Sequence, residues 1–222
     1  TSIMRDSYVY IDGYGQDKIN HSYAYGGPEL AIKTINENFG LNIKDYATVD
    51  FSSLPVIIDL LGGLDIEITA EELQHLNGYI SHLNSIEGTY SSHIYSPGVQ
   101  HLDGIQALAY SRIRYTAGGD FERTQRHRTV LNALFNTLMA APVSSYPSIL
   151  NTLLPYVETS MSAGDILSLA TDVASTGKNL EQDRFPRDET VQHISIDNIY
   201  YLSFDPEVVK EQMRDYIFND VK

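Results

Sequence analysis

The stretch QHLDGIQALAYSRIRYTAGGDFERTQRHR, residues 100–128, combines the signals of two helices with a cluster of cations. Asp103 is a typical helix N-cap, and apolar residues follow it at helical spacing. Two glycines then break the chain, and Asp120 is placed to cap a second helix that runs to about Met139. The arginines of this stretch are therefore predicted to lie at the end of one helix and the start of the next.

These arginines form a cationic focus in an acidic chain. Five of the nine arginines lie between residues 112 and 128, whereas the whole chain carries a formal net charge of −14. Arg123 and Arg126 are three residues apart and share a helix face. Arginine is disfavoured at a positive helix N-terminus unless an anion such as phosphate sits there. The alternative is that they form ion pairs with Glu122, Asp120 or another carboxylate.

The remaining candidate residues allow two interpretations each. Arg112 and Arg114 can enter one cavity only if the helix ends between them or the segment is extended, and otherwise they neutralise the helix end. Arg5 and Asp6 are predicted on a first strand, with ion pairs to another element as the alternative for each. Asp120 either orients an arginine or accepts a proton from a hydroxyl group, or it is only the N-cap.

The order of the predicted elements indicates an α/β fold with helices packed on a sheet. The polar segment 70–100 is predicted to be a long surface excursion with at most one short helix near residues 71–76. The other predicted elements are strands at residues 2–11, 46–51, 64–68 and 194–201, and helices from Pro28 to Gly40, from Ser52 or Ser53 to residue 61, and at 103–114, 146–154, 163–176 and 206–218.

Length and composition exclude several classes of protein. With 222 residues and no repeat, one large domain is the simplest organisation. The negative charge argues against a general nucleic-acid binder or a surface lying flat on anionic lipid. The absence of cysteine excludes disulfides, iron–sulfur clusters and zinc–thiolate sites. No run of apolar residues is long enough to span a membrane, and we expect the chain to be a fragment whose targeting segment lies upstream.

An aliphatic stripe on the second helix is the candidate apolar surface. The stripe consists of Leu131, Leu134, Phe135 and Leu138, at helical spacing. It is either ordinary core or the lining of a pocket for an apolar tail, and the sequence does not separate these two possibilities.

Four ordered blocks of the sequence resemble those of the LytR–CpsA–Psr family. Ser2–Asp6 resembles the family's Ser-Ile-Pro-Arg-Asp signature with Met4 in place of proline, and residues 18–27, KINHSYAYGG, resemble its Lys-Ile-Asn-His-Ala-Tyr segment. Residues 100–114 are similar to its Leu-x-Gly-x-x-Ala-Leu-x-Tyr-x-Arg-x-Arg block, and residues 119–126 to its Gly-Asp-x-x-Arg-x-x-Arg block.

This resemblance implies a fold and an activity. Residues 1–222 would form a single domain with a central mixed β-sheet covered by helices on both faces, and an apolar lipid tunnel between sheet and helices. Such proteins ligate a glycopolymer, teichoic acid or capsular polysaccharide, from a polyprenyl-pyrophosphate carrier to peptidoglycan. They are anchored in the cell membrane of mainly Gram-positive bacteria, with this domain on the extracytoplasmic face. No nucleic-acid partner is expected.

The resemblance also assigns residues. The pyrophosphate-binding residues would be Arg5, Arg112, Arg114, Arg123 and Arg126, with Asp120 and Arg123 as the catalytic residues. The expected cofactor is Mg²⁺ or Mn²⁺, but the family's metal-binding aspartates lie on a strand upstream of Thr1, so no metal ligand is predicted in this chain. The fragment, without that strand, would then bind the metal and its substrate poorly and would be inactive as an enzyme. The alternative functions are a non-catalytic module that binds polyprenyl phosphate or wall polymer, and a transcriptional regulator, as older family names suggest.

Overall fold

The computed structural model describes residues 1–114, 119–176 and 180–221 and divides them into two compact units. The first unit contains residues 1–46 and 181–222. Its elements, numbered along the whole chain, are β1 (Ser2–Ile3), β2 (Tyr8–Ile11), β3 (Gly15–Lys18), α1 (Ile19–Phe39), β8 (Arg184–Phe185), β9 (Val191–Ile196), β10 (Ile199–Phe204) and α8 (Pro206–Phe218).

The second unit contains residues 47–180. Two short 3-10 helices, Val143–Ser145 and Leu154–Tyr156, flank the α-helix Tyr146–Leu153. The main elements are β4 (Ala47–Thr48), α2 (Ser53–Leu60), β5 (Leu64–Ile68), α3 (Ala70–Glu87), β6 (Gly98–Leu102), α4 (Gly104–Arg112), α5 (Gly119–Ala140), α6 (Tyr146–Leu153), β7 (Glu158–Thr159) and α7 (Ala163–Thr176).

The strands confirm the α/β class but not one continuous central sheet. Within the described part of the chain, strands pair only two by two: β1 with β8 in parallel, and β2–β3, β4–β7, β5–β6 and β9–β10 antiparallel. Two of these pairings, β1–β8 and β4–β7, involve strands of only two residues, which are too short to extend a ladder. A single parallel bridge between Ser7 and Leu202 connects the two hairpins of the first unit.

The core of the second unit forms where β5 meets α3, α4 and α5. Leu64, Ile66 and Ile68 alternate inward from β5, as expected for a strand with one buried face. They pack with buried apolar residues of the three helices, namely Leu76, Ile80, Leu83, Ala107, Leu108 and Val130. This core fixes the relative positions of the helices that carry the second unit's arginines.

The predicted excursion at residues 70–100 is wrong. Thr69 and Glu72 form a reciprocal capping box, from which α3 extends for 18 residues. Leu76, Ile80 and Leu83 are its buried stripe, at intervals of four and three residues. Because the other faces of α3 are polar, the composition of residues 70–100 is that of a surface segment and does not reveal the helix. The segment then ends in β6, which pairs with β5.

The first unit also differs locally from its predictions. Residues 2–11 contain two short strands separated by a turn, so Arg5 and Asp6 lie in a turn and not on a strand. The helix expected to start at Pro28 begins at Ile19 and kinks before that proline, where Gly27 has a φ of 65°. The predicted strand 194–201 is a hairpin.

Candidate functional site: an arginine cluster and an apolar cavity

Arg112 and Arg114 lie where α4 ends. Asp103 begins this helix with a capping box, in which its carboxylate accepts from the Gln106 amide at 2.8 Å. After Arg112 the backbone becomes extended at Ile113, whose side chain is fully buried. The condition that allows both arginines to face one anion is therefore met, because the helix ends between them.

Both guanidinium groups remain available to an anion. Arg114 is exposed, and Arg112 is partly exposed with its guanidinium carbon 5.5 Å from the centre of the Phe51 ring. A cation–π contact with such an exposed ring contributes only about 0.5–1 kcal/mol. Neither arginine forms an ion pair with any residue of the described ranges.

Arg126, in contrast, is buried and bound to carboxylates. Its Nε donates to Glu72 Oε1 at 2.8 Å, one Nη donates to the Ile113 carbonyl at 3.1 Å, and the other donates to Glu122 Oε2 at 3.0 Å. Only 3% of the residue is exposed. Arg126 therefore forms ion pairs with carboxylates, which was the alternative prediction. Its contacts connect α3, α5 and the end of α4. Its predicted contact with pyrophosphate stays a prediction.

Tyr110 lies in the same buried network. Burial first of all, together with the negative charge of Glu72, raises the pKa of Tyr110 to about 12, although Thr129 and Arg126 act in the opposite direction. The Glu72 carboxylate also accepts from the amide and hydroxyl of Thr69 at 3.0 Å. This buried network therefore has a structural role and holds Arg126 in place. The sequence spacing did not indicate that Glu72 would contribute to it.

Arg123 and Asp120 belong to the first turns of α5. Arg123 is buried, with 7% of the residue exposed, and it precedes Arg126 by three residues on the same side of the helix. Asp120 lies within α5, but its side chain is outside the described residues. The catalytic role assigned to both residues stays a prediction.

Arg5 lies in the first unit, in the turn before β2. Its Nε is 3.8 Å from Asp6 Oδ1, and its side chain is about half exposed at 48%. Asp6 accepts a closer hydrogen bond from Lys18 Nζ at 2.8 Å, so the ion-pair alternative holds for Asp6. The Arg5 guanidinium is accessible to solvent, and its predicted contact with pyrophosphate stays a prediction.

An apolar cavity of about 290 Å³ opens among α5, α6 and α7 of the second unit. Residues of the short β4–β7 pair, Ala47 and Thr159, close one side, so the cavity lies among helices and not against a central sheet. Its lining is almost entirely apolar and includes Leu138, Met139, Ile149, Leu150, Leu153, Val157, Ile166 and Leu167. This is the kind of surface that holds a hydrocarbon chain.

The aliphatic stripe of α5 contributes both to the hydrophobic core and to the lining of the cavity. Leu134 packs against the core of the second unit, whereas Leu138 lines the cavity. Leu131 is 57% exposed and belongs to neither.

Across residues 1–114, 119–176 and 180–221, every helix is too short or too polar to span a bilayer.

The described residues do not fit a metal site of their own. Among residues 1–114, 119–176 and 180–221, no three histidine or acidic side chains converge on one point. Mg²⁺ or Mn²⁺ binding stays a prediction.

Comparisons with known proteins give the family. A relative from Enterococcus faecalis, the polyisoprenyl-teichoic acid–peptidoglycan teichoic acid transferase TagU, is 31% identical over 186 residues, which are 82% of this chain and 56% of that protein. The chain therefore spans a little over half the length of this relative.

Solved structures share the fold. TagT bound to LI-WTA matches with a TM-score of 0.74 and 25% identity, over 95% of this chain and 75% of that one. The family protein YwtF (TagT) with bound octaprenyl pyrophosphate lipid matches with a TM-score of 0.70 and 23% identity, over 95% and 75% of the two chains. The model of the LytR_cpsA_psr family matches residues 1–216 and includes most of both units. The chain belongs to the LytR_cpsA_psr family.

Proposed function

We propose that this chain is the transferase domain of a protein that moves an anionic glycopolymer from a polyprenyl-pyrophosphate carrier to peptidoglycan. The supporting relative is a teichoic acid transferase, which makes teichoic acid the first polymer to test and capsular polysaccharide the second. The domain acts on the extracytoplasmic face of the cell membrane, where carrier and wall meet. The full protein is anchored in that membrane.

The observation that carries this proposal is the arrangement along α5. The first turns of this helix lie next to the end of α4, which carries Arg112, and its last turns line the apolar cavity through Leu138 and Met139. Arg123 and Leu138 are 15 residues apart, which is roughly 22 Å along a helix. A polyprenyl pyrophosphate has the same polarity, with a compact anionic head and a long apolar tail.

The arginines supply the electrostatic part of the reaction. Cleaving the pyrophosphate leaves negative charge on the departing lipid phosphate, and fixed cations stabilise that charge as it develops. Arg112 and Arg114 are suited to this role because their planar guanidinium groups match phosphate oxygens and have no competing ion pair among the described residues. Arg126 acts as a positioning residue. Its hydrogen bond to the carbonyl of Ile113 fixes the backbone between Arg112 and Arg114, and its bond to Glu72 fixes Arg126 itself.

The direct test supplies a labelled polyprenyl-pyrophosphate-linked teichoic acid and peptidoglycan oligomers to the full-length protein with Mg²⁺. We expect labelled polymer in covalent linkage to peptidoglycan, together with one released polyprenyl phosphate per link. The double variant Arg112→Met with Arg114→Met is assayed beside the wild-type protein. It lacks the two guanidinium groups that bind the pyrophosphate, so it should form little product. Tight binding of the carrier without any linked product, while TagU forms product in parallel, would contradict the transferase and favour a binding module.

A further inference from the structure

A short exposed segment of the second unit joins the apolar cavity to the arginine at the end of α4. This connecting segment, residues 47–51, begins at Ala47 in the cavity wall and ends at Phe51, whose ring centre lies 5.5 Å from the guanidinium carbon of Arg112. Because Ala47 and Phe51 are so close in sequence, their Cα atoms are at most about 14 Å apart. The cavity wall and Arg112 are therefore neighbours within the second unit.

Both ends of the connecting segment are held in place. At its start, Ala47 pairs with Thr159, which also lines the cavity. At its end, the Asp50 carboxylate accepts from the backbone amides two and three residues later, at 2.9 and 2.7 Å, and this closes the turn that carries Phe51. The Phe51 ring is thus presented by a hydrogen-bonded turn and not by a loose loop.

The helix α2, which follows the connecting segment, contacts both the cavity wall and α4. It packs against α6 and the 3-10 helix Leu154–Tyr156, which both contribute cavity-lining residues, and also against α4. The Gly104 amide, at the start of α4, donates to Asp59 Oδ1 at 2.7 Å. A Cβ atom at Gly104 would lie 2.1 Å from the Pro55 carbonyl oxygen, so only glycine allows this approach. The helix that ends at Arg112 is therefore fixed to the cavity wall through α2.

The surface of this region is apolar and exposed to solvent. Val49 and Phe51 of the connecting segment are 42% and 63% exposed. On α2, Val56 and Leu60 share a helix face and are 36% and 47% exposed. Single exposed apolar side chains are ordinary in proteins, but several in one short stretch that starts in the cavity wall indicate a surface for an apolar group.

The contact with Phe51 orients Arg112 and leaves its hydrogen-bond donors free. Among the described residues the guanidinium group of Arg112 forms no ion pair, and the Phe51 ring lies within the range of a cation–π contact. Such a contact uses the face of the ring and none of the guanidinium N–H groups, so these groups stay available to phosphate oxygens. Phe51 therefore positions Arg112 without competing with an anion.

A prenyl pyrophosphate fits this arrangement at both ends. With its head at Arg112 and its tail in the cavity, the prenyl units nearest the pyrophosphate lie over the connecting segment. These units would remove the exposed surface of Val49 and Phe51 from water, which is favourable in proportion to the apolar area buried.

We propose that Phe51 is a specificity-determining residue for the carrier, whose ring both positions the Arg112 guanidinium group and packs against the prenyl units nearest the pyrophosphate. This inference rests on the proposed transferase function, because it takes the carrier to be a polyprenyl pyrophosphate. The protein then distinguishes a prenyl pyrophosphate from free pyrophosphate at Phe51 as well as in the cavity.

Calorimetric titration of the full-length protein with octaprenyl pyrophosphate and with inorganic pyrophosphate tests this role. For Phe51→Ala we expect about tenfold weaker binding of octaprenyl pyrophosphate, because the apolar contact and the position of Arg112 are both lost. Binding of inorganic pyrophosphate should weaken only about two- to fivefold, since this ligand has no prenyl group to lose a contact.

Two conservative variants separate the two contributions of the ring. Phe51→Tyr keeps an aromatic face and should bind both ligands like the wild-type protein. Phe51→Leu keeps apolar surface but has no aromatic face. It should lose as much affinity for inorganic pyrophosphate as Phe51→Ala does, while it retains part of the affinity for octaprenyl pyrophosphate.

Tyr90→Ala is the matched control, because Tyr90 is an aromatic residue of the same unit and is 93% exposed. Its neighbour Ser91 hydrogen bonds to Asp103 at the start of α4, whereas Arg112 lies at the other end of that helix. This variant should bind both ligands like the wild-type protein. Thermal unfolding of every variant shows whether it is folded.

The outcomes separate this inference from the transferase function. A folded Phe51→Ala variant with wild-type affinity for octaprenyl pyrophosphate overturns the inference and leaves the transferase function intact. Equal losses of affinity for the two ligands overturn the prenyl contact and with it the proposal. If binding of the carrier depends on Phe51 but the wild-type protein forms no linked product where TagU does, the transferase function is overturned and the contact of Phe51 with the carrier is supported. A wild-type protein that binds neither ligand overturns both.

Discussion

Replacement of Arg126 by methionine distinguishes a structural arginine from a ligand of the pyrophosphate. Methionine keeps an unbranched chain of similar length but removes the charge and all the hydrogen bonds of the guanidinium group. Glu72 would then lose its cationic partner and keep its bonds from Thr69, and the Ile113 carbonyl would lose a donor. The expected result is a large loss of folding stability.

The magnitude follows from burial. The side chains of Arg126 and Glu72 are only 4% and 10% exposed, so solvent screens their attraction little. Removing one partner of such a buried pair costs about 3–5 kcal/mol, since an uncompensated charge stays inside. The 40% exposed Glu122 adds at most about 1 kcal/mol. For a chain of this length, 3–5 kcal/mol corresponds to a melting temperature roughly 6–20 °C lower.

Urea and thermal unfolding followed by circular dichroism measure this loss. Arg114→Met, at an exposed position without an ion pair, is the matched control and should stay within about 0.5 kcal/mol of wild type. Replacing both partners, Glu72→Leu with Arg126→Met, should recover most of the stability, because no buried charge is then left alone. An Arg126→Met variant that unfolds like wild type but loses affinity for octaprenyl pyrophosphate tenfold or more would show that Arg126 is a ligand and not a structural residue.

Three further predictions concern the cavity, the free arginines and one histidine. Arg112→Met and Arg114→Met should each weaken octaprenyl pyrophosphate binding about tenfold or more in calorimetry, since each removes charge-assisted hydrogen bonds of about 1.5–3 kcal/mol, and unchanged affinity would exclude that residue from the site. Leu150→Trp should fill part of the cavity and weaken binding of octaprenyl pyrophosphate but not of a five-carbon prenyl pyrophosphate, and equal losses would place the tail elsewhere. The pKa of His101 is raised, mainly by its hydrogen bond to Asp65 and also by the Gly62 carbonyl, so its stabilising effect is complete below about pH 6.5 and is lost as pH rises through the raised pKa. Denaturation of wild type and His101→Gln should therefore differ more at pH 5 than at pH 9, and the opposite order would contradict the assignment.

The elements with strong local signals could be predicted from the sequence. The helix α7 occupies the predicted residues 163–176, and α8 the predicted residues 206–218. Asp103 caps α4 as expected, with a capping box that lies within four residues of sequence. In these cases the start signal and the apolar spacing are both local, so tertiary contacts do not have to be known.

The candidate site was harder to predict from the sequence, because its main contacts join residues that are far apart in the chain. Glu72 and Arg126 are 54 residues apart, and α3, which carries Glu72, was concealed by polar composition. Only the contact of Arg126 with Glu122, four residues earlier on the same helix, has spacing that a sequence reveals.

A crystal structure of the protein with octaprenyl pyrophosphate would show directly where the carrier binds. We expect the pyrophosphate in contact with the guanidinium groups of Arg112 and Arg114, and the prenyl tail between α5, α6 and α7 against Leu138 and Leu150. A pyrophosphate that touches neither arginine, or a tail that leaves this cavity empty, would refute the proposed binding mode.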